Sequence, residues 1–327
     1  MIMRLLVLGN GFDLALGYPT SYDDFANAEL ISPVQELDFT CNFWPFKEPD
    51  NGPYRDHSLH SHMYNYAIKH TDRDGRIRWV DIEMQLYSYA RTKIGSTIDP
   101  GLVQEDKESF QKLRRYLNRW ISRAFNGEWK NDRECTTIRD FIKAITDNGC
   151  SIIWSFNYTN TREELSTFGE YNNPMYPRIY NIHGTCTNSS NPNIIVGIHE
   201  DLQIPHEYQF LFKSNYTANH ISFLQDLTTA NEVIIYGHSI GITDSDYFSP
   251  YFGFIKNIRI PDKSKRFTII TKGVNAVEQI LSNIREHIKI STLKSQIDFS
   301  IIDISKVCEP GIDLDLYTNL LKRLRNG

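Results

Sequence analysis

Four short segments carry residue types that do chemistry when a fold brings them together. The first is Leu8-Gly9-Asn10-Gly11-Phe12-Asp13-Leu14, which runs on through Gly17, Tyr18, Pro19, Thr20 and Ser21 in a G-x-G-x5-G-x-P spacing. Glycines in a strand-to-helix turn permit a tight bend and bring backbone N–H groups close to a pyrophosphate at a helix start. The usual dinucleotide fingerprint has a third glycine where this chain has Leu14, so a plain structural turn is the alternative. The other segments are Ser155-Phe156-Asn157-Tyr158-Thr159, Asn181-Ile182-His183-Gly184 and Tyr236-Gly237-His238-Ser239-Ile240-Gly241, each after an apolar run. A histidine can act as a general base near neutrality, and an asparagine amide can orient water or a hydroxyl as both donor and acceptor. A carboxylate such as Asp13 stabilises positive charge developing beside it, but equally serves the N–H groups of a helix start.

Other groupings compete with this one. Gly237-His238-Ser239-Ile240-Gly241 matches the G-x-S-x-G nucleophile elbow, with Asp244, Asp246, Asp262 or Asp303 as the acid. The one histidine downstream of it is His287, inside a helical pattern, which suits a serine hydrolase poorly. His57, His60 and His62 beside Asp56 read as surface histidines rather than a metal site. Thr20, Ser21, Asp23 and Asp24 suit the start of a helix. Trp79 belongs to an apolar helical face, whereas Asp81 and Glu83 lie off it, facing solvent or a cleft. The aromatic-rich stretch 208–223 suits packing on a sheet.

The elements that would position these loops are apolar runs bounded by turn residues, at 4–8, 151–156, 178–182, 194–197, 232–236, 267–271 and 299–304. Most are continuous rather than alternating, as in strands of a mainly parallel sheet buried on both faces. Helical periodicity at 274–290 and 314–324 completes an α/β pattern. The roughly 140 residues between the first two runs hold amphipathic helices at 79–94, 110–125 and 137–147, the last ending at Gly149 as a C-cap. Before them, 42–74 is polar, aromatic and turn-rich. The expected organisation is one α/β domain over 1–327 with a helical cap at 28–130 inserted after the first strand.

With 327 residues, 40% hydrophobic and 23% charged, the chain is apolar enough to fold. The 40 acidic and 35 basic side chains give a net charge of −5 and no basic stripe, which disfavours direct nucleic-acid binding. Five scattered cysteines without a C-x-x-C suggest a reducing, cytoplasmic compartment rather than disulfides or structural zinc. No run approaches the length of a membrane span, and the N-terminal apolar run is too short for a signal peptide.

The order of the four loops resembles the NAD-binding site of sirtuins. Gly9–Asp13 with Gly17 and Pro19 matches the glycine loop, Asn157 the catalytic Asn, His183-Gly184 the catalytic His segment, and Gly237-His238-Ser239 a later cofactor loop. The four-cysteine zinc module of sirtuin deacylases is missing, since Cys186 stands alone. A closer resemblance joins G-N-G-F-D-L-x-x-G-x-x-T-x-Y (Gly9 to Tyr22), Trp79-x-Asp81-x-Glu83, Ser155 to Thr159, His183-Gly184, and Gly237-His238-Ser239-x4-Asp244-x2-Tyr247-Phe248. These are similar to the bacterial AbiH-type phage abortive-infection family. The resemblance implies an α/β, Rossmann-like (sirtuin-like) mainly parallel sheet with helices on both faces. It also implies binding of NAD and its hydrolysis to nicotinamide and ADP-ribose, without a metal. Asn157, His183 and Asp13 would be catalytic. Gly9, Asn10, Gly11, Phe12, Gly17, Thr20, Gly237, His238, Ser239 and Asp244 would bind the cofactor. A phage-derived trigger, a regulatory partner or a homo-oligomer would control such an enzyme. A non-catalytic nucleotide sensor is the alternative. Gly11→Val is expected to weaken nucleotide binding more than folding.

Overall fold

The computed structural model describes residues 2–21, 58–59, 61–63, 79–126, 135–166, 177–186, 193–216 and 220–326. In chain order these form β1 (Arg4–Leu8), α1 (Asn10–Ala15), α2 (Trp79–Arg91), α3 (Pro100–Asn126), α4 (Cys135–Ala144) and β2 (Ile152–Ser155). There follow α5 (Thr161–Ser166), β3 (Arg178–Asn181), α6 (His220–Thr229), β4 (Glu232–Tyr236), α7 (Ser245–Lys256) and β5 (Arg266–Thr271). The chain ends with α8 (Val274–Arg285), α9 (Ile290–Gln296), β6 (Asp298–Asp303) and α10 (Ile312–Arg325). Two compact units emerge: Met1–Tyr18, Glu128–Thr185 and Ala218–Gly327 make one, and Pro19–Gly127 with Cys186–Thr217 the other. The expected cap at 28–130 did not take in Cys186–Thr217.

The first unit holds a six-stranded sheet, all parallel, in the order β3-β2-β1-β4-β5-β6. Alternation of side chains across a strand explains why its central runs are apolar throughout. Leu5, Val7, Ile152, Trp154, Val233, Ile235, Phe267 and Ile269 point into one core with Phe223 and Leu227 of α6 and Phe248, Phe252 and Ile255 of α7. The residues between them serve the other face, where Tyr236 meets Phe141 of α4 at 5.2 Å between ring centroids. There the Tyr317 hydroxyl of α10 donates to the Thr137 carbonyl at 2.6 Å. At the N-terminal ends of the central strands, Glu232 is buried between Arg4 (3.0 Å) and Arg323 (2.9 Å), which ties α10 to β1 and β4.

The second unit buries several polar groups within an apolar interior. Asp106 of α3 is buried and accepts hydrogen bonds from the Leu59 N–H (2.7 Å), the Tyr89 hydroxyl (2.7 Å) and the Tyr208 hydroxyl (2.8 Å). Glu83 of α2 is buried too, in an ion pair with Lys213 at 2.8 Å, so it does not lie on a solvated face. Tyr208 packs on Tyr89 in this unit rather than on the sheet; from the stretch 208–223 it is Phe223 that joins the sheet core.

Several element boundaries differ from expectation for physical reasons. The run 194–197 is not a strand. It is a buried irregular segment of the second unit, its Ile194 carbonyl held by the Arg114 guanidinium at 2.9 Å and only Ile198 bridging Phe212. Helix α3 starts ten residues before the expected 110, with Asp99 accepting from Gly101 N–H (2.8 Å) and Pro100 in the first turn. The helix expected at 137–147 ends in a π-turn, Ile145–Gly149, where the Thr146 hydroxyl bonds back to the Ile142 carbonyl at 3.0 Å. The periodicity over 274–290 divides into α8 and the start of α9. Among the described residues no helix is long and apolar enough to cross a membrane. The stretch 42–74 falls outside the described residues save for 58–59 and 61–63, as do Tyr22, Asp23, Asp24, Asp56, His57 and His60.

Candidate functional site

The strand order of the first unit reverses between β1 and β4, and ligands of open α/β sheets bind outside the C-terminal strand ends at such a switch point. Ladder bonds run past the strand ends, from Phe156 N–H to the Leu8 carbonyl (2.9 Å), Ile182 to Ser155 (2.8 Å), Gly9 to Tyr236 (2.9 Å) and Gly237 to Ile270 (2.9 Å). The four expected loops therefore leave the sheet along one edge.

The glycines interlock two of those loops. A Cβ on Gly9 would stand 2.5 Å from His238 Cα, one on Gly11 2.7 Å from Gly237 Cα, and one on Gly237 2.4 Å from Phe12 N. Gly237 has φ +67°, a conformation side chains rarely adopt. The N–H groups of Gly9, Gly11 and Phe12 already donate to the carbonyls of Tyr236, Gly237 and Gly9. The loop thus needs glycine because another backbone lies against it, and those three donors are engaged within the chain. Gly17 closes α1: its φ is +85°, its N–H reaches the Leu14 carbonyl, and Tyr18 N–H reaches the Asp13 carbonyl, a Schellman arrangement. Thr20 is buried and belongs to the second unit.

Below the interlock lies a buried polar cluster. The Asn157 amide donates to Asp13 Oδ1, and the Thr159 hydroxyl donates to Asp13 Oδ2 at 2.9 Å. Ser155 supports them, accepting from Asn157 N–H at 3.2 Å and from the Thr161 hydroxyl at 2.8 Å. Burial pushes the Asp13 carboxyl up to about 7 against the donors that lower it. Asp13 is therefore neither a helix cap nor a fully ionised carboxylate at neutrality; it is an acceptor that orients Asn157. Beside this cluster's Asp13, and without a motif to mark it, stands Glu164, a buried carboxyl in the first turn of α5, raised by burial and then by the Asp13 charge. Nothing in its local sequence separates it from an exposed helical glutamate.

A second cluster joins β3 to the loop after β4. His183 Nε2 and His238 Nε2 each lie 3.3 Å from a different oxygen of Asp244. Both rings are buried, and Phe156 packs against both, at 4.4 Å from His238 and 5.3 Å from His183. His238 Nδ1 accepts from Ile240 N–H at 3.0 Å, and Ile240 is held at φ +52° with its side chain in the core. This strained residue is Ile240, not Ser239, and α7 begins only at Ser245, so the loop is not a nucleophile elbow. His287 stacks on Phe252, with ring planes 9° apart. The glycine loop thus meets Asn157 through Asp13 and meets His238 through its glycines, while His183 joins through Asp244. Ser239 is exposed, and its carbonyl accepts from Asn283 at 2.9 Å. In the second unit, His62 bonds Gln85 at 3.1 Å and packs on Tyr89.

The family model for bacteriophage abortive infection AbiH matches residues 5–260, a span that includes both clusters. The chain belongs to the AbiH family. This membership assigns the protein to bacteriophage abortive infection. No curated protein matches it. In AbiH terms, the matched span covers β1 to α7 and stops before β5.

Proposed function

We propose that this AbiH protein defends the cell by binding NAD at the C-terminal edge of a sirtuin-like sheet and hydrolysing it to nicotinamide and ADP-ribose. One observation carries the reading. Asn157 Oδ1 is buried just past the end of β2 without a hydrogen-bond partner among the described residues, and the buried His183 ring follows the adjacent strand β3. Buried polar atoms are costly unless something pairs with them, and a ribose hydroxyl or water would do so.

Cleaving the nicotinamide–ribose bond creates an oxocarbenium-like centre and a neutral leaving group, so no acid is required. His183 takes the proton of the attacking water, and Asn157 orients that water against the ribose. Asp13 holds the Asn157 amide, and with it the direction of the Asn157 carbonyl. With three N–H groups of the glycine loop engaged, the phosphates are met instead at the Ser239 hydroxyl and the Asn10 side chain. The scheme calls for no metal. A cytoplasmic enzyme that depletes NAD must be silent before infection, so a phage-derived trigger, a regulatory partner or a change of oligomeric state releases it.

The test is nicotinamide release by the purified protein, with and without lysate of phage-infected cells. His183→Ala and Asn157→Ala should lower the rate on the order of 10²- to 10⁴-fold and abolish protection in phage plating. A melting scan accompanies Asn157→Ala, because that change also strips Asp13 of a donor. Full hydrolysis by His183→Ala removes His183 from the mechanism. Loss of defence in these variants, with no NAD cleavage by triggered wild type, makes the site a nucleotide sensor.

A further inference from the structure

The link from His238 through Asp244 to His183 can be followed atom by atom. His238 Nδ1 accepts the Ile240 N–H, and a ring nitrogen that accepts carries no hydrogen. In the neutral ring the hydrogen is therefore on Nε2, 3.3 Å from Asp244 Oδ2. An ionised carboxylate only accepts, so the ring nitrogen facing its other oxygen, His183 Nε2 at 3.3 Å, is the one that carries hydrogen.

A second observation separates this from an ordinary helix start. Asp244 occupies the N-cap of α7, twelve residues long, where aspartate normally accepts from the first-turn N–H groups. It makes no such bond. Its carboxylate lies against the two histidines instead. The rings that pack on His183, Phe156 at 5.3 Å, Tyr158 at 6.0 Å and Tyr247 at 6.3 Å, oppose a ring flip that would exchange its nitrogens. The His183 to Asp244 approach is within ion-pair distance but outside hydrogen-bond geometry, and active-site bonds often tighten with substrate.

We propose that His238 and Asp244 are positioning residues that fix the His183 hydrogen on Nε2 and leave Nδ1 as the nitrogen available to accept a proton. The chemical use of Nδ1 rests on the hydrolase reading above; the tautomer does not.

The experiment is a long-range proton–nitrogen correlation on the full chain labelled with ¹⁵N-histidine, on the alkaline side of neutrality. The His183 and His238 signals are assigned by their loss in His183→Ala and His238→Gln. Both rings should show hydrogen on Nε2, and Asp244→Asn should leave His183 as a mixture of tautomers. In the nicotinamide assay Asp244→Asn should lower kcat on the order of 10²- to 10⁴-fold with KM little changed. His238→Gln, whose amide can still donate toward Asp244, should keep most activity. His238→Asn, which keeps an acceptor for Ile240 N–H but not that donor, should not. A His183 ring with hydrogen on Nδ1, or one indifferent to Asp244→Asn, overturns the proposal. The expected tautomers without NAD cleavage uphold it and count against the hydrolase reading alone.

Discussion

Burial raises the Asp13 carboxyl from its ordinary 3.8 to about 7, and it raises Glu164 in the same direction. Between those two values folded Asp13 binds more protons than unfolded Asp13, so its contribution to stability is fully present below about 3.8 and is lost as pH rises through about 7, and Glu164 adds a contribution of the same sign. The melting temperature should drop by several degrees over that window, and Asp13→Asn should reduce the slope. A melting temperature that climbs with pH would contradict the burial of these carboxyls. Gly11→Val now carries the opposite expectation from the one its sequence context suggests. A Cβ there meets Gly237 Cα at 2.7 Å, so folding itself should weaken by about 1–3 kcal/mol in urea titrations. At this scale the sequence displays which residues can do chemistry, because Asn157, His183 and the glycines stand after recognisable strands. It does not display Glu164 or the Asp244 link, because a buried carboxyl is written with the same letter as an exposed one.

Strands and helices were more readable than their ends. The central strands are apolar on both faces and could be little else, whereas 194–197 has the same character because it is buried as an irregular segment. Apolarity reports burial, and the partner of the backbone decides conformation; here that partner is Arg114 rather than a neighbouring strand. The early start of α3 was signalled by Asp99 and Pro100, a stronger cue than the apolar stripe that begins at Phe110. Among the elements of the first unit, α10 is fastened by charge: Glu232 lies 3.0 Å from Arg4 and 2.9 Å from Arg323. Glu232→Ala leaves the buried Arg4 guanidinium without its carboxylate and should cost about 3–5 kcal/mol in denaturant titration. A cost below about 1 kcal/mol would mean that apolar packing alone holds α10.

For the whole chain, the division into two units follows the order of residues only loosely, since the second unit is completed by Cys186–Thr217. That return was not readable because the ties are single side chains: Lys213 to Glu83, Tyr208 to Asp106 and Arg114 to the Ile194 carbonyl. Lys213→Met should destabilise the protein by about 3–5 kcal/mol, and adding Glu83→Leu should recover most of the loss, since a buried pair is worth little more than the apolar residues that replace it. A double-mutant cycle in urea measures both. The central strand β1 also has consequences in time. It is made first, yet it pairs with β2 at Ile152 and β4 at Glu232. A ribosome must add well over a hundred residues before β1 finds either neighbour, and bacterial elongation at about 5–20 residues per second makes that many seconds of waiting. Asp13 leaves the ribosome early, whereas His238 and Asp244 come only after β4. A chain cut short by stalled synthesis before β4 therefore carries Asp13 and Asn157 but lacks His238 and Asp244.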